Sequence, residues 1–280
     1  MFDGESALMR INKFLSAIGY CSRREADRLI SEGKVLVDGE QAELGTVVKV
    51  GMKVTVNGTG IGGVEQLISR KPVLLAVNKP VGVVCTTSTN DRAPNIVELV
   101  GYPERVYPVG RLDKDSEGLI LLTNMGELAD EILRGANGHE KEYLVRVDQP
   151  ITEAFVKQMR SGVHLDQLQV TTRPCRLSVD DKLTFHITLT QGLNRQIRRM
   201  CEALGYHVVS LKRIRIMNIR LGGLKSGTWR NVTAEEMKAL QGALEKRRDS
   251  KDAGGRTGSR SEEHYRERQK SYFRRRRSEA

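Results

Sequence analysis

Several stretches of this chain hold residues whose types and spacing could do chemistry. In PVGRLDKDSEGLILLTN, Gly110-Arg111-Leu112-Asp113 leads into a tight turn closed by Gly118 and then an apolar strand. A carboxylate at such a bend is held rigidly and aimed outward, where it could act as a nucleophile or a base. From pattern alone, a turn aspartate making local hydrogen bonds explains it better. Asp113, Asp115, Glu117 and Gly118 also match the start of a calcium loop. The twelfth position of that loop is Asn124 rather than Glu, and Leu119–Leu122 is an apolar strand, so calcium is rejected. His139-Glu140-Lys141-Glu142-Tyr143 lacks the second histidine of a zinc-protease helix. Gly58, Gly60 and Gly63 satisfy G-x-G-x-x-G. The helix after them has room only to about Arg70 before Pro72, and the next strand ends in Asn-Lys-Pro with no acidic residue for a ribose. A flexible linker is the better reading. Neither a P-loop nor a G-x-S-x-G elbow is present.

The elements that must position these residues fall into two regions. Asn12 could cap a first helix carrying Phe14, Leu15 and Ile18 on one face, ended by Gly19. Ser22 with Glu25 three residues on forms a capping box for a second helix, whose apolar face is Ala26, Leu29 and Ile30. Alternation at Val35 and Val37, an Asp38-Gly39 turn, and Val54 and Val56 then predict a small hairpin sheet. Residues 1–60 read as one module, and the glycine-dense 61–72 as a linker. The second region, 73–242, opens on the strand-like VLLAVNKP. Further strands are expected at Gly118–Thr123, Tyr143–Val147 and Leu183–Leu189, with helices around 125–134, 152–161 and 195–205. This irregular mixture argues for an α+β fold with an antiparallel or mixed sheet flanked by helices, not a doubly wound one. Residues 243–280 are rich in Arg, Lys, Ser and Gly without periodicity and are expected to be disordered.

The chain has 280 residues and a formal net charge of +11, from 46 Lys+Arg against 35 Asp+Glu. Residues 246–280 carry +7 of that, so the electrostatic case for a polyanionic partner rests largely on the tail. On the second helix Arg24 and Arg28 are four apart and share a face that Arg23 and Lys13 could extend. Such a face can track phosphates, and a solvated charged face interleaved with Glu25 and Asp27 accounts for the pattern equally well. The four cysteines show neither C-x-x-C nor zinc spacing, which predicts reduced thiols in a cytoplasmic protein and no metal site. No apolar run reaches the roughly 18 residues of a membrane span, so no membrane partner is expected.

Residues 9–57, with C-S-R-R-E-A-D and the G-x-V-x-V-x-G hairpin, resemble an S4 RNA-binding domain. That resemblance implies that the basic face of Lys13, Arg23, Arg24 and Arg28 grips structured RNA. The G-R-L-D segment, NKPVGVVCTT, EKEYLV and GLNRQIRRMCEALGYHVVSLKRIRI resemble, in order, the motifs of one branch of bacterial pseudouridine synthases. That branch joins the small-subunit type to the B-, E- and F-type enzymes of the large ribosomal RNA. HEKEYLV and RIRIMNI most resemble the F-type group. The resemblance implies isomerisation of uridine to pseudouridine without a cofactor. Asp113 would be the catalytic residue, Arg198 the cation that keeps it ionised, and Tyr143 the ring that stacks on the uracil. Arg111 would fill the gap left by the flipped nucleotide, while Arg195 and Arg199 suit phosphate contacts. The implied partner is ribosomal RNA, 23S first, with 16S ribosomal RNA or transfer RNA as alternatives, and the chain is expected to be monomeric. Two other classes stay open at this point. One is a non-catalytic S4-domain assembly protein, which the joint presence of Asp113, Tyr143 and Arg198 disfavours. The other is a DNA-binding helix-turn-helix regulator on residues 12–32, which the following hairpin disfavours.

Overall fold

The computed structural model describes residues 8–86, 93–133 and 138–252. The chain divides into two compact units, one made of the described residues up to Arg70 and residues 245–252, the other spanning Lys71–Leu244, so the last helix is shared between them. The first contains β1 (Met9–Arg10), α1 (Ile11–Ala17), α2 (Arg23–Ser31), β2 (Val35–Val37), β3 (Glu40–Gln41), β4 (Val47–Val48), β5 (Val54–Val56), β6 (Thr59–Gly62) and α3 (Val64–Ser69). The strands β3-β2-β5-β6 form one antiparallel sheet, and β1 pairs with β4. The apolar faces read from the sequence meet: Ile11, Phe14 and Leu15 join Ala26, Leu29, Ile30, Val35, Val54 and Val56 in one buried cluster. Burying each large side chain contributes about 1.5–3 kcal/mol.

Two local expectations need correction. Asn12 does not cap α1, which starts one residue earlier at Ile11; its Nδ2 donates instead to Asp27 Oδ1 at 2.9 Å and ties α1 to α2. The supposed linker 61–72 is largely structured. Thr59–Gly62 pairs with β5, and Val64 at the head of α3 is buried in the first unit's core. Glycine density suggested flexibility, but cross-strand pairing and one buried valine outweigh local preference. The capping expectation at Ser22 is met, its Oγ accepting from Glu25 N at 3.1 Å, while the Glu25 carboxylate turns to Arg28.

The second unit contains β7 (Leu74–Lys79), α4 (Ile96–Val100), β8 (Tyr107–Val109), β9 (Glu117–Thr123), α5 (Gly126–Leu133), β10 (Lys141–Val147), α6 (Glu153–Ser161), β11 (His164–Leu165), β12 (Val170–Thr171), β13 (Arg176–Asp181), β14 (Thr184–Leu189), α7 (Gln196–Ala203), β15 (Val208–Ile216), β16 (Ile219–Arg220), β17 (Trp229–Asn231) and α8 (Ala234–Asp252). Its nine-stranded sheet has the order β13-β14-β10-β15-β9-β7-β17, with β16 beside β15 and β8 beside β9. All its pairs are antiparallel except β15 with β9. This is the expected α+β fold with a mostly antiparallel mixed sheet. One core gathers Val145, Phe155, Phe185, Ile187, Met200 and Leu211; another gathers Leu75, Val77, Ile96, Leu112, Ile120 and Leu122. Tyr143 packs against both.

Helix α8 runs to Asp252, past residue 243 where disorder was expected. Ala, Glu, Leu, Lys and Arg are good helix formers, and Leu240 and Leu244 are buried. The rest of that tail, 253–280, lies outside the described residues. Among the described residues no helix is long and apolar enough to cross a membrane.

Candidate active site

A row of residues runs across the sheet in register. Lys79 on β7 lies opposite Gly118 on β9, Gly118 opposite Arg213 on β15, and Arg213 opposite Tyr143 on β10. Residues in register put their side chains on one face, so Lys79, Arg213 and Tyr143 share a face with a glycine between the two cations. Gly118 has φ +103°, and a Cβ there would lie 2.7 Å from Arg213 N and 3.0 Å from its carbonyl carbon. Only glycine lets β15 lie this close to β9.

A bulge sorts the arginines of β15. The partner of β10 moves from Arg213, opposite Tyr143, to Arg215, opposite Glu142, and leaves Ile214 unpaired. Without that extra residue, Arg213 and Arg215 would share a face; with it they part. Arg215 goes to the opposite face, where its Nε donates to Glu142 Oε2 at 2.7 Å and its Nη2 to Glu140 Oε2 at 3.2 Å. Arg213 goes inward and is 3% exposed.

The aspartate bend lies at one end of this row. Gly110 turns the chain with φ +78°. Leu112 is buried, and its N–H donates to Cys85 Sγ at 3.3 Å. The carbonyl of Asp113 accepts from Ser116 N at 3.1 Å, and that of Lys114 from Gly82 N at 2.8 Å, which ties the bend to the turn after β7. The Asp113 side chain stays 34% exposed. Arg213 Nη1 lies 3.5 Å from the Arg111 carbonyl, so the bend and the row are in direct contact.

The expected Asp113–Arg198 pair is not formed. Arg198 Nε lies 3.4 Å from Asp115 Oδ2, and its Nη2 donates to the Asp115 carbonyl at 2.9 Å and approaches Ser116 Oγ at 3.4 Å. Its Nη1 is held by the Val208 carbonyl at 3.1 Å. The guanidinium that reaches Asp113 belongs to Arg195, at 3.6 Å, and Arg195 also chelates both oxygens of Asp115 at 3.0 and 3.2 Å. Arg195 caps α7 in the left-handed conformation, with φ +50°, which aims it back at the bend. Arg195 is therefore engaged by carboxylates rather than free for phosphate. Arg199 folds onto Asn194 through its Nε, 3.1 Å from the Asn194 carbonyl. Arg111 is exposed, as an RNA-facing residue must be.

Asp115 was missed as a site residue. Burial pushes its carboxyl up, but the Arg195 hydrogen bond and the Arg198 and Arg195 charges outweigh burial and hold it below the ordinary value. Lys79 and Lys141 were also missed; burial, foremost, lowers both ammonium groups. Among the described residues there is no His/Cys/Asp/Glu cluster able to hold a metal. A shallow groove beside α6, lined by Ile151, Thr152, Val156, Lys157 and Arg160, contains none of these site residues.

In the first unit, Arg23 and Arg24 are exposed and Lys13 is half-buried. Arg28 is committed to Glu25 and Glu32, at 2.5 and 2.6 Å, so it belongs to a charged pair network and not to an open phosphate-tracking face.

Residues 73–203 match the family model for RNA pseudouridylate synthase, and residues 9–54 match the S4 domain. The chain belongs to the RNA pseudouridylate synthase family and is an isomerase that converts uridine in RNA to pseudouridine. It is 52% identical over 229 residues to the dual-specificity RNA pseudouridine synthase RluF of Escherichia coli K12, covering 82% of this chain and 77% of that one. It is 34% identical over 239 residues to the ribosomal large subunit pseudouridine synthase B of Bacillus subtilis, covering 83% and 95%. A solved pseudouridylate synthase superposes with a TM-score of 0.61 at 29% identity, covering 83% of this chain and 99% of that one. The S4 match takes in α1 and α2, so the DNA-regulator alternative falls.

Proposed function

We propose that this enzyme isomerises specific uridines of ribosomal RNA, those of the large subunit first, with Asp113 acting at the ribose of a flipped nucleotide. One observation carries the reading: the Asp113 carboxylate stands partly exposed on a bend clamped at Leu112, Lys114 and Ser116, at the end of the sheet row that bears Tyr143. Either the carboxylate attacks C1′ or it takes the C2′ proton; both require it ionised. Arg195 is the guanidinium that stands beside it, at 3.6 Å. Arg198 acts through Asp115, holding the bend, and closes on Asp113 only if its side chain rearranges when RNA binds. Tyr143 stacks on the extruded base, and exposed Arg111 takes the place that base leaves in the duplex. Unpaired or loop uridine is the expected target.

The front unit, with Arg23 and Arg24 exposed on α2, supplies the grip on structured RNA together with Lys13. The E. coli relative is named dual-specificity and the B. subtilis relative is named for the large ribosomal subunit, which supports ribosomal RNA and leaves a second RNA as substrate. A ribosomal RNA substrate supports a cytoplasmic location. The test is to map pseudouridines in ribosomal and transfer RNA from cells with and without this chain. Loss of one or a few large-subunit sites is expected. Loss confined to transfer RNA or the small subunit would overturn the substrate assignment.

A further inference from the structure

The face that bears Tyr143 holds more positive charge than the aspartate bend uses. Lys79 is fully buried, and its Nζ donates to the carbonyls of Pro80 and Val83, both at 2.8 Å. Arg213 Nε donates to the Leu119 carbonyl at 2.6 Å, and its Nη2 is buried with no hydrogen-bond partner among the described residues. The two stand on either side of Gly118, two strands apart, about 10 Å between their backbones. Lys141, two residues before Tyr143 on β10, projects to the same face. The charges converge: Lys79 and Arg213 both act on the Cys85 thiol beneath Leu112, Arg213 acts on Lys141, and the Asp115, Asp113 and Glu117 carboxylates act on Lys79 only from beyond 4 Å. Neither Lys79, Arg213 nor Lys141 has a carboxylate within 4 Å among the described residues. Buried charge without a partner is costly. A cluster that bears this cost is suited to an anion that arrives during the reaction.

The chemistry supplies one. When the C1′–N1 bond breaks, N1 keeps the bonding pair and the base leaves as a uracil anion. This holds whether Asp113 forms a bond to C1′ or removes the C2′ proton to leave a C1′=C2′ double bond. After the base turns, C5 bonds to C1′. The C1′–O bond to the carboxylate breaks as that bond forms, or, in the other route, C2′ takes back its proton as C1′ accepts C5; the C5 proton is then lost and N1 is protonated. We propose that Arg213 and Lys79, across the gap at Gly118, are positioning charges that stabilise the detached uracil anion while it turns above Tyr143. Preorganised charge at a site of developing charge is worth most where water is excluded. The assignment rests on the reading of Asp113 given above.

The test compares R213M with the charge-retaining R213K in the full-length enzyme under single turnover. Two RNAs are used, one with uridine and one with 5-fluorouridine at the target. Fluorine at C5 makes the departing base a weaker base, so it needs the buried charge less. Consumption of the target N-glycoside is the readout for both. R213M should lose about 100-fold in rate on uridine, with RNA affinity within about three-fold, and R213K about ten-fold. The R213M deficit should shrink about ten-fold on the fluorinated base. Equal deficits on the two bases would overturn the proposal. So would a loss confined to RNA affinity, or an upward shift of the acid limb of the rate profile, which would mean the charge only keeps Asp113 ionised. If R213M does not fold, the R213K deficits on the two bases decide in the same way. A D113N chain that still consumes the target N-glycoside at a substantial fraction of the wild-type rate would sink the Asp113 reading instead.

Discussion

Replacing Gly118 with alanine tests whether the site row needs β15 to lie directly against β9. Two costs follow from the structure. The backbone at 118 has φ +103°, a conformation L side chains rarely adopt, and holding a residue there costs about 1–3 kcal/mol. The new methyl would also lie 2.7 Å from Arg213 N and closer still to the Arg213 carbonyl oxygen. Backbone cannot swing aside as a side-chain tip can, so overpacking adds about 1–3 kcal/mol. The sum centres on about 4 kcal/mol, a large part of the ~5–15 kcal/mol that holds a typical domain together. With a urea slope of about 2 kcal/mol/M, the unfolding midpoint should fall by about 2 M. Gly223→Ala is the control, because a Cβ there meets nothing within 4 Å; it should stay within about 0.5 kcal/mol. Under conditions where Gly118→Ala remains folded, its turnover should still be impaired, since the strand that must shift carries Arg213. A loss under about 1 kcal/mol with full activity would refute the argument that the close strand approach builds the site.

Two further outcomes are expected. Asp115→Asn releases Arg195 and Arg198 from their shared anchor. Because that carboxylate is 47% exposed, its stability cost is expected below about 1 kcal/mol, while single-turnover rate falls about ten-fold. Asp115's folded-state pKa is depressed, so its stabilisation is complete above the ordinary 3.8 and disappears as pH falls through the lower folded value. Urea melts of the two proteins should therefore differ at pH 6 and converge in strong acid; a constant gap would contradict the ion pairing. Ser22→Ala should destabilise by about 1 kcal/mol, since its side chain caps α2 by accepting from Glu25 N. An unchanged midpoint in thermal melts monitoring the front unit would contradict it.

Local signals in the sequence carried some of these features and not others. The strands at Leu74–Lys79 and Glu117–Thr123, and the Ser22 cap, were legible because continuous apolar runs and a serine–glutamate spacing act within a few residues. The strand Thr59–Gly62 and the helix Val64–Ser69 were not, because their stability comes from β5 and the first unit's core while their glycines suggest a loop. The aspartate bend was visible as a motif. Its arginine partners were not: Asp115 and Arg195 lie eighty positions apart, and nothing local distinguishes Arg195 from Arg198 as the guanidinium nearer Asp113. Arg213 and Arg215 alternate in LKRIRI as surface charges would, and only the bulge at Ile214 turns one of them inward.

Asp113→Asn measured under single turnover bears most directly on the whole account. The substrate is RNA labelled with tritium at uridine C5, and the readout is tritium released to water when C5 bonds to C1′. The variant should bind RNA within a few-fold of wild type and release no tritium above the enzyme-free rate. Release at a substantial fraction of the wild-type rate would mean that the carboxylate on the Gly110–Gly118 bend is not what acts on the ribose.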